Sequence, residues 1–114
     1  IELPLEKLST KKGTSAVYQL RFPKIGRYEL VFRMSSTLGE LAQLPISVFL
    51  NNTLQQTVTL NGTEGQTMER VVTLPIRQDG EKYMKLYFGE SGIDMHRMFL
   101  RYVGKNDIES IRNE

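Results

Sequence analysis

The chain has 114 residues, 39% of them hydrophobic and 25% charged, with a net charge of +2 and no cysteine. That length suits one domain with one real core, burying about 65% of the unfolded surface. Disulfides and thiolate chemistry are excluded. No apolar run approaches the ~20 residues that a membrane-spanning helix needs, so no membrane partner is expected.

The 15 Lys and Arg are interspersed with 13 Asp and Glu, and only Lys11-Lys12 stand together. Without a basic stripe carrying exposed aromatics, nucleic acid is not an expected partner. The opening Ile-Glu-Leu-Pro has neither an initiator Met nor a signal peptide. It reads as a domain cut from a longer chain, or a processed product.

Ile1 to Leu8 alternates loosely and reads as an edge strand or a wrapping segment. Pro4 suits an edge, where a missing N–H breaks no ladder bond. After a loop from Ser9 to Ser15, Ala16 to Phe22 alternates with Ala16, Tyr18, Leu20 and Phe22 inward. Gly26 turns the chain into a strand from Arg27 to Ser35. There Tyr28, Leu30, Phe32 and Met34 share one face, Arg27, Glu29 and Arg33 the other, and Val31 breaks the rule. This period of two marks a strand half buried in an antiparallel sheet.

Ser36 to Leu44 reads as a loop or a short helical turn, and Pro45 then precedes a strand with Ile46, Val48 and Leu50 aligned. Asn51-Asn52 signals a two-residue hairpin, because Asn tolerates the positive φ of a tight turn. The return strand, Leu54 to Leu60, aligns Leu54, Val58 and Leu60. Asn61 to Gln66 is a loop. Thr67 to Arg77 is a strand in which Pro75 suggests an edge or a bulge. Gln78-Asp79-Gly80 turns into Lys82 to Phe88, where Tyr83, Lys85 and Tyr87 oppose Met84, Leu86 and Phe88. After Gly89 to Gly92, Ile93 to Val103 is the last strand. Residues 1–103 therefore form one β module, and residues 104–114 a polar tail or linker. About eight short strands with no sustained helical period imply an all-β, two-sheet antiparallel sandwich.

Catalytic signatures are absent. The single His and the lack of Cys leave no zinc pattern. His96 has no nucleophile elbow beside it. Gly62 and Gly65 lack the Lys and helix of a phosphate loop. Glu40, Glu64, Glu90 and Asp94 fall in or beside loops and read as solvated rather than as a paired acid and base. The two glycosylation-like tripeptides at Asn51 and Asn61 coincide with predicted turns, where Asn serves the backbone. No enzyme, cofactor or metal is expected.

The order of these units resembles a known family. Ala16-Val-Tyr-Gln-Leu-Arg-Phe-Pro followed by Gly26-Arg-Tyr-Glu-Leu-Val-Phe-Arg-Met is similar to the "strand, Pro, Gly-x-Tyr-x-Leu-x-Phe-Arg" unit of carbohydrate-binding modules of families 6 and 35. The Ile46–Leu54 hairpin, the Val71–Phe88 pair and the closing Gly92-Ile-Asp-Met-His-Arg-Met also resemble theirs. The likeness covers residues 16–103 and implies a galactose-binding-like jelly roll. It further implies a non-catalytic, sugar-binding accessory module of a secreted, periplasmic or cell-surface bacterial glycoside hydrolase. Its partners would be a carbohydrate and a neighbouring catalytic domain.

The resemblance places ligand-binding candidates on the loops: Asp94 at the family's closing Asn, with Glu90, Thr14 and Gln66. Departures accompany it. The chain has no Trp, Leu3-Pro4 replaces the Ala-Glu that supplies a structural calcium ligand, and His96 replaces a structural Asp. A structural sandwich that buttresses a catalytic domain without binding sugar is the alternative. An immunoglobulin-type interaction sandwich is a third reading, which strand order would decide.

Overall fold

A computed structural model describes residues 1–105. Seven strands follow in chain order: β1 (Ser15–Phe22), β2 (Gly26–Ser35), β3 (Gln43–Leu50), β4 (Thr53–Asn61), β5 (Met68–Ile76), β6 (Gly80–Phe88) and β7 (Asp94–Gly104). They form a four-stranded sheet, β1-β6-β3-β4, and a three-stranded sheet, β5-β2-β7. Every pairing is antiparallel. The fold is the expected two-sheet jelly-roll sandwich. Its order excludes the immunoglobulin arrangement, in which β1 would neighbour β2 and β3, β6 and β7 would share a sheet. The polar tail from residue 106 onward, with Ile108 and Ile111, lies outside the described residues.

The period-two pattern drives the packing. Phe22, Leu30, Phe32, Met34, Ile46, Leu74, Met84, Leu86, Phe88 and Met98 are all fully buried between the sheets. At about 25 cal/mol per Å² of apolar surface removed from water, this face supplies most of the driving force for folding. The outer face of the three-stranded sheet is roofed by long side chains. Arg97 stacks 4.3 Å over the Phe99 ring and also pairs with Glu2. Arg101 pairs with Glu29. Val31, paired with Phe99 on one side and Val71 on the other, is fully buried, which explains why an apolar residue breaks the alternation of β2.

Four local readings change. Among the described residues seven strands form rather than about eight. The first residues make a single bridge, Glu2 to Phe99, flanked by backbone bonds from Leu3 N to the Met98 oxygen and from Leu100 N to the Ile1 oxygen. Pro4, lacking an N–H, ends the ladder, and Leu5 and Leu8 then pack on the core. Residues 36–42 are a loop, one of the two readings of that stretch, but Gln43 and Leu44 already belong to β3.

Pro45 lies inside β3 rather than before it. Its oxygen accepts from Gly89 N, on the side of β6, whose pairing with β3 starts one residue later at Ile46. The missing N–H therefore points past the end of β6 and costs no ladder bond. Leu54 is the fourth difference. A register shift at Val48/Phe49 pairs Phe49 with Leu54, skipping Gln55. This bulge turns Leu54 to the outer face, where it is 54% exposed.

Turn chemistry matches the local sequence. Asn51 and Asn52 take φ of 46° and 68°, and Asn51 Oδ1 accepts from Tyr83 N at 2.9 Å. Asn61 donates to the Glu40 oxygen. Both Asn side chains serve the backbone. Pro75 sits on β5, an edge strand of its sheet.

The Glu2–Arg97 pair makes stability depend on acid. The hydrogen bond from Arg97 holds the Glu2 carboxyl below the usual carboxylate range. A carboxylate with a lowered folded-state pKa adds stability that is complete above the unfolded value of about 4.3 and is lost as pH falls through the folded value. Because Glu2 is exposed, the contribution is small. Urea midpoints of Glu2→Gln should therefore fall less steeply than those of the parent below about pH 4.3.

Candidate functional site

All four sugar-binding candidates lie at one end of the sandwich. Residues 9–14, 36–42, 62–67 and 89–93 meet there, because β2, β4 and β6 end where β1, β3, β5 and β7 begin. Thr14 is spent on its own loop: its hydroxyl lies 2.6 Å from the Lys11 oxygen and 2.9 Å from the Ser9 oxygen. Glu90 lies 3.5 Å from Lys12 Nζ and lines a shallow depression with Leu38, Leu41 and Ser91. Gln66 lines a different one with Glu40, Thr63 and Met68. Asp94 is exposed and opens β7 opposite Ser35. The fold thus brings the four to one end but not into one cleft, and no ring lines either depression.

Hydrogen bonds knit this end together. The Thr63 hydroxyl accepts from Ser36 N at 2.8 Å and donates to the Ser36 oxygen at 3.0 Å. Backbone bonds join Gly62 N to the Ala42 oxygen, Glu64 N to the Leu38 oxygen and Gly65 N to the Ser36 oxygen. At the adjacent bulge, where β7 carries one residue more than β2, His96 Nε2 lies 2.6 Å from Ser35 Oγ. His96 is exposed, as expected of a solvent-facing strand residue, while Ser35 is buried. A buried hydroxyl within a strand offers no attacking position.

The residues do not fit the calcium that the resemblance implies. Pro4, at the position of the family's Glu, has no side-chain oxygen to offer, and Leu3 beside it is a core side chain. Among the described residues no three His, Asp or Glu side chains converge.

Exposed rings occur elsewhere. β6 is central in the four-stranded sheet, between β1 and β3, and its inward residues Met84, Leu86 and Phe88 fill the core. Its outward residues therefore form a platform. Tyr83 is 58% exposed and Tyr87 41%. Four steps along the strand separate them, so their Cα atoms are about 13 Å apart. Lys85, between them, lies 4.6 Å over the Phe49 ring. Val17, opposite Lys85 on β1, is 61% exposed, and the bulge adds Leu54 opposite Phe49.

Polar groups frame these carbons. Gln19 donates to Glu81 at 2.8 Å, and the Ser47 and Thr57 hydroxyls lie 2.8 Å apart. An apolar, ring-bearing surface rimmed by hydroxyl, amide and carboxylate groups suits a ligand with C–H faces and peripheral hydroxyls. Sequence alternation shows that Tyr83 and Tyr87 share a face. Their exposure depends on nothing covering that sheet, which alternation does not report.

No protein-family model matches the chain. A β-glucosidase of Ruminococcus albus is 26% identical over 103 residues, covering 90% of this chain and 11% of that protein. A family 35 carbohydrate-binding module from Clostridium thermocellum superposes with a TM-score of 0.69 at 14% identity, covering 82% of this chain and 74% of the module. A β-glucosidase from Paenibacillus barengoltzii superposes with a TM-score of 0.65 at 18% identity, covering 88% of this chain and 12% of that one. The chain thus spans only about a ninth of the β-glucosidases it matches. The sandwich, with its two sheets and its ends of loops and tight turns, is the fold that carbohydrate-binding modules of families 6, 35 and 36 share.

Proposed function

We propose that this chain is a non-catalytic carbohydrate-binding accessory module of a secreted bacterial glycoside hydrolase, with a catalytic domain as its neighbour. The observation that carries the reading is the pair of exposed tyrosines on the outer face of β6. A pyranose presents C–H groups on one face and can stack on a ring, while its hydroxyls reach neighbouring polar groups. Tyr83 and Tyr87 offer two such surfaces along one strand, with Gln19, Ser47 and Thr57 within the same face. The spacing fits an extended oligosaccharide better than a single sugar. Asp94, Glu90, Thr14 and Gln66 are the hydroxyl-bonding candidates of a second, loop-end surface. The two long β-glucosidases that contain a similar segment support the setting in a glycoside hydrolase.

Calorimetry against β-glucans, xylans, galactans and host glycans tests the reading. The parent should bind at least one of them. Replacing both Tyr83 and Tyr87 by alanine should weaken binding by at least about tenfold, the loss of two stacking contacts of about 1 kcal/mol each. Both side chains are exposed, so the fold should persist. A comparable loss in Asp94→Ala/Gln66→Ala, with the tyrosine variant unaffected, moves the site to the loop end. Silence towards every glycan sinks the binding function. The ringless loop end favours the second reading, a structural domain that buttresses its neighbour. Deleting the module should then lower that neighbour's thermal midpoint without changing its substrate affinity.

A further inference from the structure

A different surface lies at the side seam of the sandwich, between the edge strands β1 and β7. Leu3, Leu5 and Leu8 pack against the core along the N-terminal segment. Beside Ile1 the seam stays open as a notch of about 280 Å³, with Pro23, Tyr28, Leu100 and Tyr102 in its walls and Arg21 and Lys24 beside them.

The walls are preorganised. Tyr28 accepts from Lys24 N at 3.1 Å and donates to the Lys24 oxygen at 2.8 Å. Tyr102 donates to the Ile25 oxygen at 3.2 Å. Two phenols thus clamp the turn that carries Lys24, and their rings meet edge to face at 5.1 Å. Both hydroxyls are spent on backbone, so the rings present carbon to the notch.

The rim carries three basic side chains. Arg101, which also lines the notch, is neutralised by Glu29. Arg21 and Lys24 form no ion pair with a carboxylate among the described residues, and Lys24 Nζ sits 5.3 Å over the Tyr102 ring. A carbon-walled notch with two cations at its rim that enter no ion pair among the described residues, Arg21 lying across the ladder from Glu81, favours a ligand with an apolar ring at one end and an anion at the other. Sugar fits poorly, because its hydroxyls would be buried without partners against these walls. The volume, at the low end for ligand pockets, admits one aromatic ring rather than a polymer.

We propose that this notch binds a small aromatic monocarboxylate, its ring against Tyr28, Tyr102 and Pro23 and its carboxylate towards Arg21 and Lys24. The site is separate from the β6 platform and stands whether or not the chain binds sugar.

Titrating the ¹⁵N-labelled 114-residue chain with 4-hydroxycinnamate at low salt tests it. Amide shifts should concentrate at Lys24, Arg101 and Tyr102 and saturate with a Kd of about 1 mM or tighter. The matching alcohol, which keeps the ring and loses the charge, should bind at least about tenfold more weakly, as should the acid to Arg21→Gln/Lys24→Met. Acetate, which keeps the charge without the ring, should leave those amides unmoved. Arg21 and Lys24 are exposed, so an unchanged thermal midpoint will certify the double variant as folded. Absence of shifts at about 10 mM acid, equal binding of acid and alcohol, or shifts centred on Tyr83 and Tyr87 would each overturn the proposal.

Discussion

Phe32→Ala should lower the unfolding free energy by about 4 kcal/mol, more than any other single truncation considered for this domain. Phe32 lies in β2, the central strand of its sheet, opposite Arg70 on one side and Met98 on the other, and it is fully buried. Truncation removes the transfer free energy of the ring. It also leaves a cavity that two packed sheets cannot collapse into without disturbing the ladders on both flanks. Against a typical total of about 5–15 kcal/mol, the loss is a large fraction. For a domain of this size each kcal/mol moves the midpoint by about 4–8 °C, so scanning calorimetry should show a fall of about 20 °C. Phe49→Ala, on the half-buried outer face of β3, should cost far less. Equal losses would mean that the inner face does not dominate the core.

Gly62→Ala should cost about 3 kcal/mol, although Gly62 is a loop residue outside the strands. An added Cβ would stand 2.0 Å from the Gly39 oxygen and 2.4 Å from the Leu38 oxygen. Both are backbone atoms, so no side-chain rotation relieves the clash. The two loops must part, which strains the bonds from Gly62 N to the Ala42 oxygen and from Glu64 N to the Leu38 oxygen. Gly39→Ala is the internal control. Its Cβ meets nothing within 4 Å, and it should change stability by less than about 0.5 kcal/mol. A midpoint loss of about 15 °C for Gly62→Ala beside an unmoved Gly39→Ala would confirm that contact, not flexibility, selects glycine at position 62.

The inference that Gly62 matters could not come from the sequence. Gly62 and Gly65 look alike there, as turn residues between two strands. The structure separates them: Gly65 takes φ of +89° in open space, while Gly62 is held by the backbone of a loop more than twenty residues earlier. Local sequence reports backbone preference, but close approach is a property of chain segments that meet only after folding.

The same division runs through the whole domain. Alternation in β2 placed Tyr28, Leu30, Phe32 and Met34 in the core, because a period of two allows only one buried face. The hairpin at Asn51-Asn52, the edge position of Pro75 and the two-sheet architecture follow from equally local physics. Leu54 escaped, since one extra residue in β4 shifts the alternation and no residue type announces a bulge. Val31 escaped too, because its partners on that face, Phe99 and Val71, come from other strands.

For the site, the sequence by itself determined the candidates: Asp94, Glu90, Thr14 and Gln66 on loops, and Tyr83 with Tyr87 on one face. Only the tertiary structure decided that the four loop residues share an end without sharing a cleft. It alone left the β6 tyrosines uncovered between β1 and β3. The physical reason is that strand alternation is set by neighbours along the chain, whereas exposure and convergence are set by strand order, which joins residues far apart in sequence.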